Sequence, residues 1–370
     1  MLALHHAVDL VALPMQKLSK VATVLASDSS DERFTHNAFK SISTITDVIA
    51  VLAGGVGAAR FLRGLLLEVE PQNIASIVNT GDDTVLHGLH ISPDLDTVTY
   101  TLAGAIDPER GWGLAGETWR AMEALERFQA VRPAGSQAAP QWFNLGDTDL
   151  ATHFYRTARL REGATLAEVT HEIRLAFGLD LTVLPMTNDS VRTMVHLEDS
   201  VVSFQEYFVR LRHNVAVSSV DFVGASTARF IDPTLFQLAS SIVIAPSNPI
   251  VSIGPIRAVP GVEESLMARR DDVVAISPIV AGAALKGPAD RMLTELGHEP
   301  TAVGVARLYA PICSTLIIDR QDEHLVDAVE REGIRCIATD TIMSQTGVAA
   351  SLARTAVMAT PRQGDNSWLD

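Results

Sequence analysis

Three glycines break an apolar run in Val51-Leu52-Ala53-Gly54-Gly55-Val56-Gly57-Ala58-Ala59-Arg60-Phe61-Leu62, after which apolar residues return at helical spacing. A strand that turns tightly into a helix gathers unpaired backbone N–H groups and the positive end of a helix dipole at one point. A phosphate or diphosphate can sit there against residues that have no side chain in the way. The pattern is neither the full G-x-G-x-x-G fingerprint nor a P-loop, which needs a following Gly-Lys-Ser/Thr, and taken alone it also suits plain close packing of helix on strand. Four carboxylates, Asp82, Asp83, Asp94 and Asp96, then fall within fifteen positions with no Lys or Arg between them. They need a cation or a set of hydrogen-bond donors. A hard ion such as Mg²⁺, held by one or two carboxylates and completed by phosphate oxygens, meets that need and neutralises charge during a diphosphate reaction. Singly, the same residues suit a turn at Asp82-Asp83 and a helix N-cap at Asp94, after Pro93.

Two further segments offer ligand groups. In Pro246-Ser247-Asn248-Pro249-Ile250-Val251-Ser252, Ser247, Asn248 and Ser252 supply donors and acceptors on a proline-stiffened loop, suited to a base, a ribose or phosphate oxygens; a rigid turn with self-satisfied side chains is the plainer reading. Lys286 ends the small-residue loop that begins at Pro278 and is placed to meet a phosphate, although most lone lysines are simply solvated. His153 is a polar candidate that more commonly serves as a structural hydrogen-bonder.

These groups must be positioned by alternating elements. Strands are expected at 47–53, 75–78, 242–245, 273–277 and 315–318, with helices at 58–68, 94–105, 112–128 and 165–177, the last opened by a Thr165/Glu168 capping box. The alternation predicts an α/β fold: a doubly wound, mostly parallel Rossmann-like sheet with an inserted smaller α+β subdomain, its ligands at the carboxyl ends of the strands. The insertion is expected at 151–239, with short strands at 181–185, 193–197 and 201–203 and a helix at 204–212. Residues 47–150 then form a nucleotide-binding half with the acidic loop, and 240–358 form the remainder. Residues 1–46 are expected to be a disordered extension and 359–370 a flexible tail.

The chain of 370 residues is 47% hydrophobic, enough for a sizeable core. Its formal net charge of -15 argues against nucleic-acid binding, which draws on clustered Lys and Arg. A polyanionic substrate would therefore depend on a local positive pocket, for which Arg60, Arg63, Lys286, backbone N–H groups and a metal are the candidates. No apolar run reaches the roughly eighteen residues of a membrane span. Cys313 and Cys336 lack metal-site spacing and read as buried free thiols. A cytoplasmic location is expected.

The ordered blocks VLAGGVGAARFLRGL, NTGDD, ISPDLDTVTYTLAG, FNLGDTDLATHFYR, LPMTND, FQEYFVR, APSNPIVSIGPI and VVAISPIVAGAALKGPADRM resemble the 2-phospho-L-lactate transferases over about Ile49 to Val357. The resemblance implies transfer of a phosphoacid from a guanosine diphosphate-linked donor to the deazaflavin Fo. The ribityl hydroxyl of Fo attacks phosphorus, GMP leaves, and coenzyme F(420)-0 or an analogue forms with Mg²⁺ as cofactor. It implies that Gly54, Gly55, Gly57, Ser247, Asn248, Ser252 and Lys286 face the nucleotide and diphosphate, and that Asp96 and Asn144 face Fo. Some family members have Lys at the position of Asn144; Asn can hydrogen-bond but carries no charge. Asp83, Asp94 and Asp96 become the catalytic candidates, with Asp83 and Asp94 coordinating Mg²⁺ or activating the hydroxyl; spacing leaves open which does which. The acid (phospholactate, phosphoenolpyruvate or phosphoglycerate) is likewise open. A homodimer is expected. Three other readings compete: a nucleotide-sugar-binding regulator of the gluconeogenesis-factor type; a nicotinamide-dependent oxidoreductase, which predicts the full glycine fingerprint and an acidic residue about twenty positions on; and a purely structural α/β scaffold.

Overall fold

The computed structural model describes residues 48–136, 138–140 and 142–360. The expected extension 1–46, and all but the first two residues of the expected tail, lie outside the described residues. Seven strands form one parallel sheet: β1 (Ile49–Ala53), β2 (Ile74–Val78), β5 (Thr182–Pro185), β9 (Ser241–Ile244), β10 (Val273–Ile276), β13 (Thr315–Asp319) and β14 (Arg335–Thr339). Their order is β14-β13-β10-β9-β1-β2-β5, with every neighbouring pair parallel. The inner strands are wholly buried and mostly apolar because both faces of the sheet are covered. The chain leaves β1 towards β2 on one side and returns to β9 on the other, so the order reverses between β1 and β9. That reversal opens the crevice in which α/β sheets bind ligands.

Smaller sheets fill the connections. The strands β3 (Thr84–Leu86) and β4 (Leu89–Ile91) form a hairpin. Its two turn residues, His87 and Gly88, both have positive φ, as the twist-matched two-residue turn requires. Three strands, β6 (Arg192–His196), β7 (Val201–Ser203) and β8 (Ser219–Val223), make an antiparallel sheet ordered β7-β6-β8, and β11 (Ile279–Val280) pairs with β12 (Ala283–Ala284). The segment 151–239, read from sequence as one inserted subdomain, is thus divided: β5 is an edge of the main sheet, and only β6 to β8 form a sheet apart. The sequence could not separate them, because a short apolar run reads alike in either place.

Among the described residues seven helices have eight or more residues: α1 (Gly55–Leu65), α2 (Pro93–Leu102), α3 (Arg120–Gln129), α4 (Asp149–Arg161), α5 (Leu166–Ala176), α6 (Ala302–Tyr309) and α7 (Val348–Ala359). The Thr165/Glu168 capping box opens α5 as expected. Two expected helices are shorter. That expected at 112–128 begins only at Arg120, because Gly111, Gly113 and Gly116 take positive φ and hold the preceding segment in turns. That expected at 204–212 begins at Phe204 as expected but ends at Arg210, its last five residues, Glu206–Arg210, forming one wide turn.

Helix α1 packs against both α2 and α7 over the central strands, and its apolar face (Ala58, Phe61, Leu62, Leu65) lies in the main core. Two glycines let it come so close. A Cβ on Gly57 would stand 2.1 Å from the carbonyl oxygen of Pro246, and one on Gly64 would stand 2.3 Å from that of Ala349 in α7. Backbone cannot yield as a flexible side chain can. Gly64→Ala is therefore expected to lower stability by about 1–3 kcal/mol or more in urea unfolding, whereas Arg63→Ala, on the exposed side of the same helix, should stay within about 0.5 kcal/mol.

Candidate functional site

The site grows from the end of β2. Asn79 continues the ladder, donating its N–H to Ala53 O, and its buried side chain then ties three segments together. Its Nδ2 donates to Asp82 Oδ1 at 3.1 Å and to Asp94 Oδ2 at 2.9 Å, while its Oδ1 accepts from the Gly81 N–H at 2.8 Å. Gly81 has no room for a side chain, since a Cβ would stand 2.8 Å from both Pro255 and Thr193. Asp82 also accepts from Gln205 Nε2. Asp83 Oδ2 accepts from Ser92 Oγ at 2.7 Å, whereas its Oδ1 is buried with no hydrogen-bond partner.

Helix α2 starts at Pro93 with Ser92 as N-cap, and Ser92 spends its hydroxyl on Asp83 instead of capping. The sequence reading of Asp94 as N-cap is thereby corrected: Asp94 lies one position inside the helix and faces Asn79 and the glycine turn. A Cβ on Gly54 would stand 3.0 Å from Asp94 Oδ2 and 2.6 Å from Ser252 Cβ, and Gly55, at φ +70°, lies beside Asp94 Oδ1. Gly54 N–H donates to Ser247 Oγ at 3.3 Å, joining the ends of β1 and β9 across the crevice. The start of α1 has no side-chain cap and no acidic residue of its own.

Burial dominates the electrostatics here. It pushes Asp82 well above the usual carboxylate range, reinforced by Asp94 and then Asp83. It raises Asp83 likewise, against the Ser92 hydroxyl and Arg156. Asp94 is pushed up to about 6 by burial, against hydrogen bonds from Asn79 and Gly55. A buried group of carboxylates held by an amide and hydroxyls prefers protons or a cation.

Asp96 is handled differently. Both its oxygens are taken by the buried guanidinium of Arg156 on α4, with Nη1 at 3.1 Å from Oδ2 and Nη2 on Oδ1. Arg156 Nη1 also lies 3.2 Å from His153 Nδ1, and an arginine can only donate, so that ring nitrogen is the acceptor and the proton of neutral His153 sits on Nε2. Nε2 in turn lies 3.4 Å from Asp149 Oδ2, a contact without hydrogen-bond alignment. Tyr100 donates to Asp149 Oδ1 at 2.6 Å. Burial pushes Asp149 up, but His153, Tyr100 and Arg156 outweigh it and hold the carboxyl below its usual range. Sequence reading missed Asn79, Ser92, Arg156 and Asp149. The i, i+3 spacing of His153 and Arg156 on a helix was a visible signal, but their partner sixty positions away was not.

The remaining candidates spread around this centre. Asn248 Oδ1 accepts from Ile250 N–H at 2.9 Å and Val251 N–H at 3.4 Å, so its carbonyl serves its own turn. Gly57 is used for close packing. Lys286 is exposed, lies near Gly111, and has its pKa lowered by partial burial and then by the charge of Arg60 in α1. Asn144 is exposed on the loop before α4. Among the described residues no three His, Cys, Asp or Glu side chains converge as a protein-only metal cage. Mg²⁺ needs only one or two carboxylates when phosphate oxygens and water complete its shell. The partnerless Asp83 Oδ1 and the raised Asp94 fit that role.

The family described as 2-phospho-L-lactate transferase CofD matches residues 49–356. The chain is 44% identical over 317 residues to the phosphoenolpyruvate transferase of Kitasatospora aureofaciens, covering 84% of this chain and 96% of that one. It is 40% identical to the protein of that name from Nocardia farcinica, with coverage of 84% and 93%. Among solved structures, a Bacillus halodurans protein, BH3568, superposes with a TM-score of 0.54 at 16% identity, covering 84% of this chain and 99% of that one. That likeness concerns the fold.

Two tests follow from the geometry. Between about pH 4 and 6 the folded protein keeps a proton on Asp94 that the unfolded chain, with its ordinary value of 3.8, has released. This contribution to stability is present at low pH and lost as pH rises through about 6. Asp94→Asn should flatten that part of the ligand-free protein's stability profile, read by urea unfolding at a series of pH values. Arg156→Met strands the Asp96 charge and should cost about 3–5 kcal/mol, with much of the loss recovered in the double variant Asp96→Leu/Arg156→Met.

Proposed function

Since this chain belongs to the 2-phospho-L-lactate transferase family, we propose that it transfers a phosphoacid from a guanosine diphosphate-linked donor to the terminal hydroxyl of Fo, releasing GMP. The names of the similar proteins point to phosphoenolpyruvate as the acid, which would give an enolpyruvyl analogue of coenzyme F(420)-0. The observation that carries the reading is Asp94 set against the uncapped start of α1 and joined through Asn79 to Asp82 and its neighbour Asp83, at the point where strand order reverses. A diphosphate beside those carboxylates requires a counter-charge.

Asp83 and Asp94 are the residues that would hold Mg²⁺, which when bound neutralises the diphosphate and stabilises charge developing on the leaving GMP. Gly54 and Gly55 present backbone rather than side chain to the diphosphate, with Ser247 and Ser252 at the opposite wall of the crevice. Lys286 and Arg60 add positive charge on the α1 side. Asp96 keeps spare lone pairs while paired with Arg156, so it can accept a hydrogen bond from Fo and orient it for attack. Asp83 or Asp94 can also orient the hydroxyl and accept its proton late in the transfer; beside a metal-bound diphosphate such a carboxylate keeps a low pKa, so it acts late and not as a bulk base. No covalent enzyme intermediate is required.

The test is a mass-spectrometric assay with Fo, Mg²⁺ and guanylylated phosphoenolpyruvate, phospholactate or phosphoglycerate, following GMP and the phosphodiester. The expected result is product, preferentially with the enolpyruvyl donor. Folded protein that makes none from any donor, and binds nucleotide sugars instead, would overturn the transferase reading. Asp83→Asn and Asp94→Asn should each lower kcat by about 10²-fold or more, and the Mg²⁺ concentration for half-maximal rate should rise in whichever variant has lost a metal ligand.

A further inference from the structure

The segment between α2 and α3 contains an aromatic arrangement that the site above does not use. Its base is closed where Ile106 bridges Leu114, and Asp107 Oδ1 accepts from the N–H groups of Glu109 and Arg110. Arg110 is then fixed twice more, by Asp107 Oδ2 at 3.0 Å and by Leu114 O at 2.9 Å. The held guanidinium lies over two indoles, 5.4 Å from the centre of Trp112 and 5.2 Å from that of Trp119. The two rings meet edge to face at 6.0 Å. Trp112 nonetheless remains 45% exposed. An aromatic plane braced on one side by a cation and a second ring, and open on the other, is rigid and stays wet unless something covers it.

The position of the loop limits what could cover it. The neighbour of Trp112, Gly111, would place a Cβ 2.7 Å from Lys286 Nζ and 3.9 Å from Val56 in the glycine turn. The far end of the loop is clasped to the segment before α4. Glu117 accepts from the N–H groups of Thr148 and Asp149 at 2.8 and 2.7 Å, while Asp147 accepts from the Thr118 hydroxyl and from the N–H groups of Arg120 and Ala121. Each carboxylate satisfies the helix start of the other segment, so the loop is anchored at both ends. The open indole thus stands one residue from a cationic corner suited to phosphate, on a loop tied to the segment that contains Asn144.

We propose that Trp112, backed by Arg110 and Trp119, is the stacking platform for the planar fused heteroaromatic ring of a bound phosphate-bearing or phosphate-accepting substrate. Only the choice of candidate rings, the deazaflavin of Fo or the guanine of the donor, rests on the transferase reading. Stacking on an aromatic side chain selects for a planar ring system with little regard to its edge substituents, leaving discrimination to polar neighbours. Arg110 and Trp119 act as positioning residues, because they touch the indole and not the ligand.

Equilibrium binding of Fo alone and of GMP alone, measured by ultrafiltration on the full chain, tests this in the wild type, Trp112→Phe and Trp112→Leu. The expected result is that Trp112→Leu weakens one of the two ligands by about 10-fold or more, Trp112→Phe restores most of that affinity, and the other ligand is unaffected; the ligand that responds identifies the ring. In turnover the loss should fall on KM for that substrate rather than on kcat. Unchanged urea midpoints would exclude unfolding as the cause. Wild-type-like affinity of Trp112→Leu for both ligands, or a wild type that binds neither, overturns the platform. Wild-type protein that binds Fo or GMP yet forms no phosphodiester overturns the transferase reading instead, while the response of Trp112→Leu still decides the platform.

Discussion

One side-chain amide joins the acidic loop to the start of α2. Asn79 Nδ2 serves Asp82 and Asp94 together, and Asn79 Oδ1 holds the Gly81 N–H that turns the chain between them. Both carboxylates on that NH₂ group are buried, and burial is the main cost of their charge, with the neighbouring Asp94 adding to it for Asp82. The arrangement is tolerable because the carboxylates can take up protons. A cation held there, as proposed above, would relieve the same penalty without a proton.

The contrast between Asp94 and Asp96 follows from the same logic. They lie two positions apart in the first turn of α2, where the helix dipole favours negative charge, yet they meet opposite surroundings. Asp94 faces an amide and the glycine turn, whereas Asp96 faces a full guanidinium delivered by α4. Arg156 in turn fixes the tautomer of His153, and Asp149 completes the series with Tyr100. A helix that looks uniformly buried therefore presents one carboxylate with a raised pKa beside the glycine turn and the other paired with a guanidinium. Helix α4 also bears on the loop of Trp112, because Glu117 caps this helix, which contributes Asp149, His153 and Arg156.

The glycine turn illustrates how packing and chemistry share residues. Gly54 and Gly55 lie against Asp94 and Ser252, within the crevice, while Gly57 two positions on is filled by the carbonyl of Pro246. Both uses need the absence of a Cβ, so the spacing of glycines alone cannot tell them apart. The Ser247-Asn248 loop divides in the same way: Ser247 reaches the Gly54 N–H across the reversal of strand order, and Asn248 stabilises its own turn.

The sequence by itself determined the layers of the fold, because apolar runs of four to five residues alternating with helical periodicity can be buried only in a covered parallel sheet. It also marked the glycine turn and the acidic segments, since unusual residue types cluster there within a few positions. It could not separate β5 from the three-stranded sheet that follows, nor hold back the helix expected from Trp112, because the deciding facts were a neighbouring strand and three positive φ angles. Arg156, sixty positions from Asp96, and Asn79, fifteen from Asp94, became part of the site only when the chain folded. Partners at such separations are chosen by which helix packs on which, and the order of residues along a chain does not contain that packing in readable form.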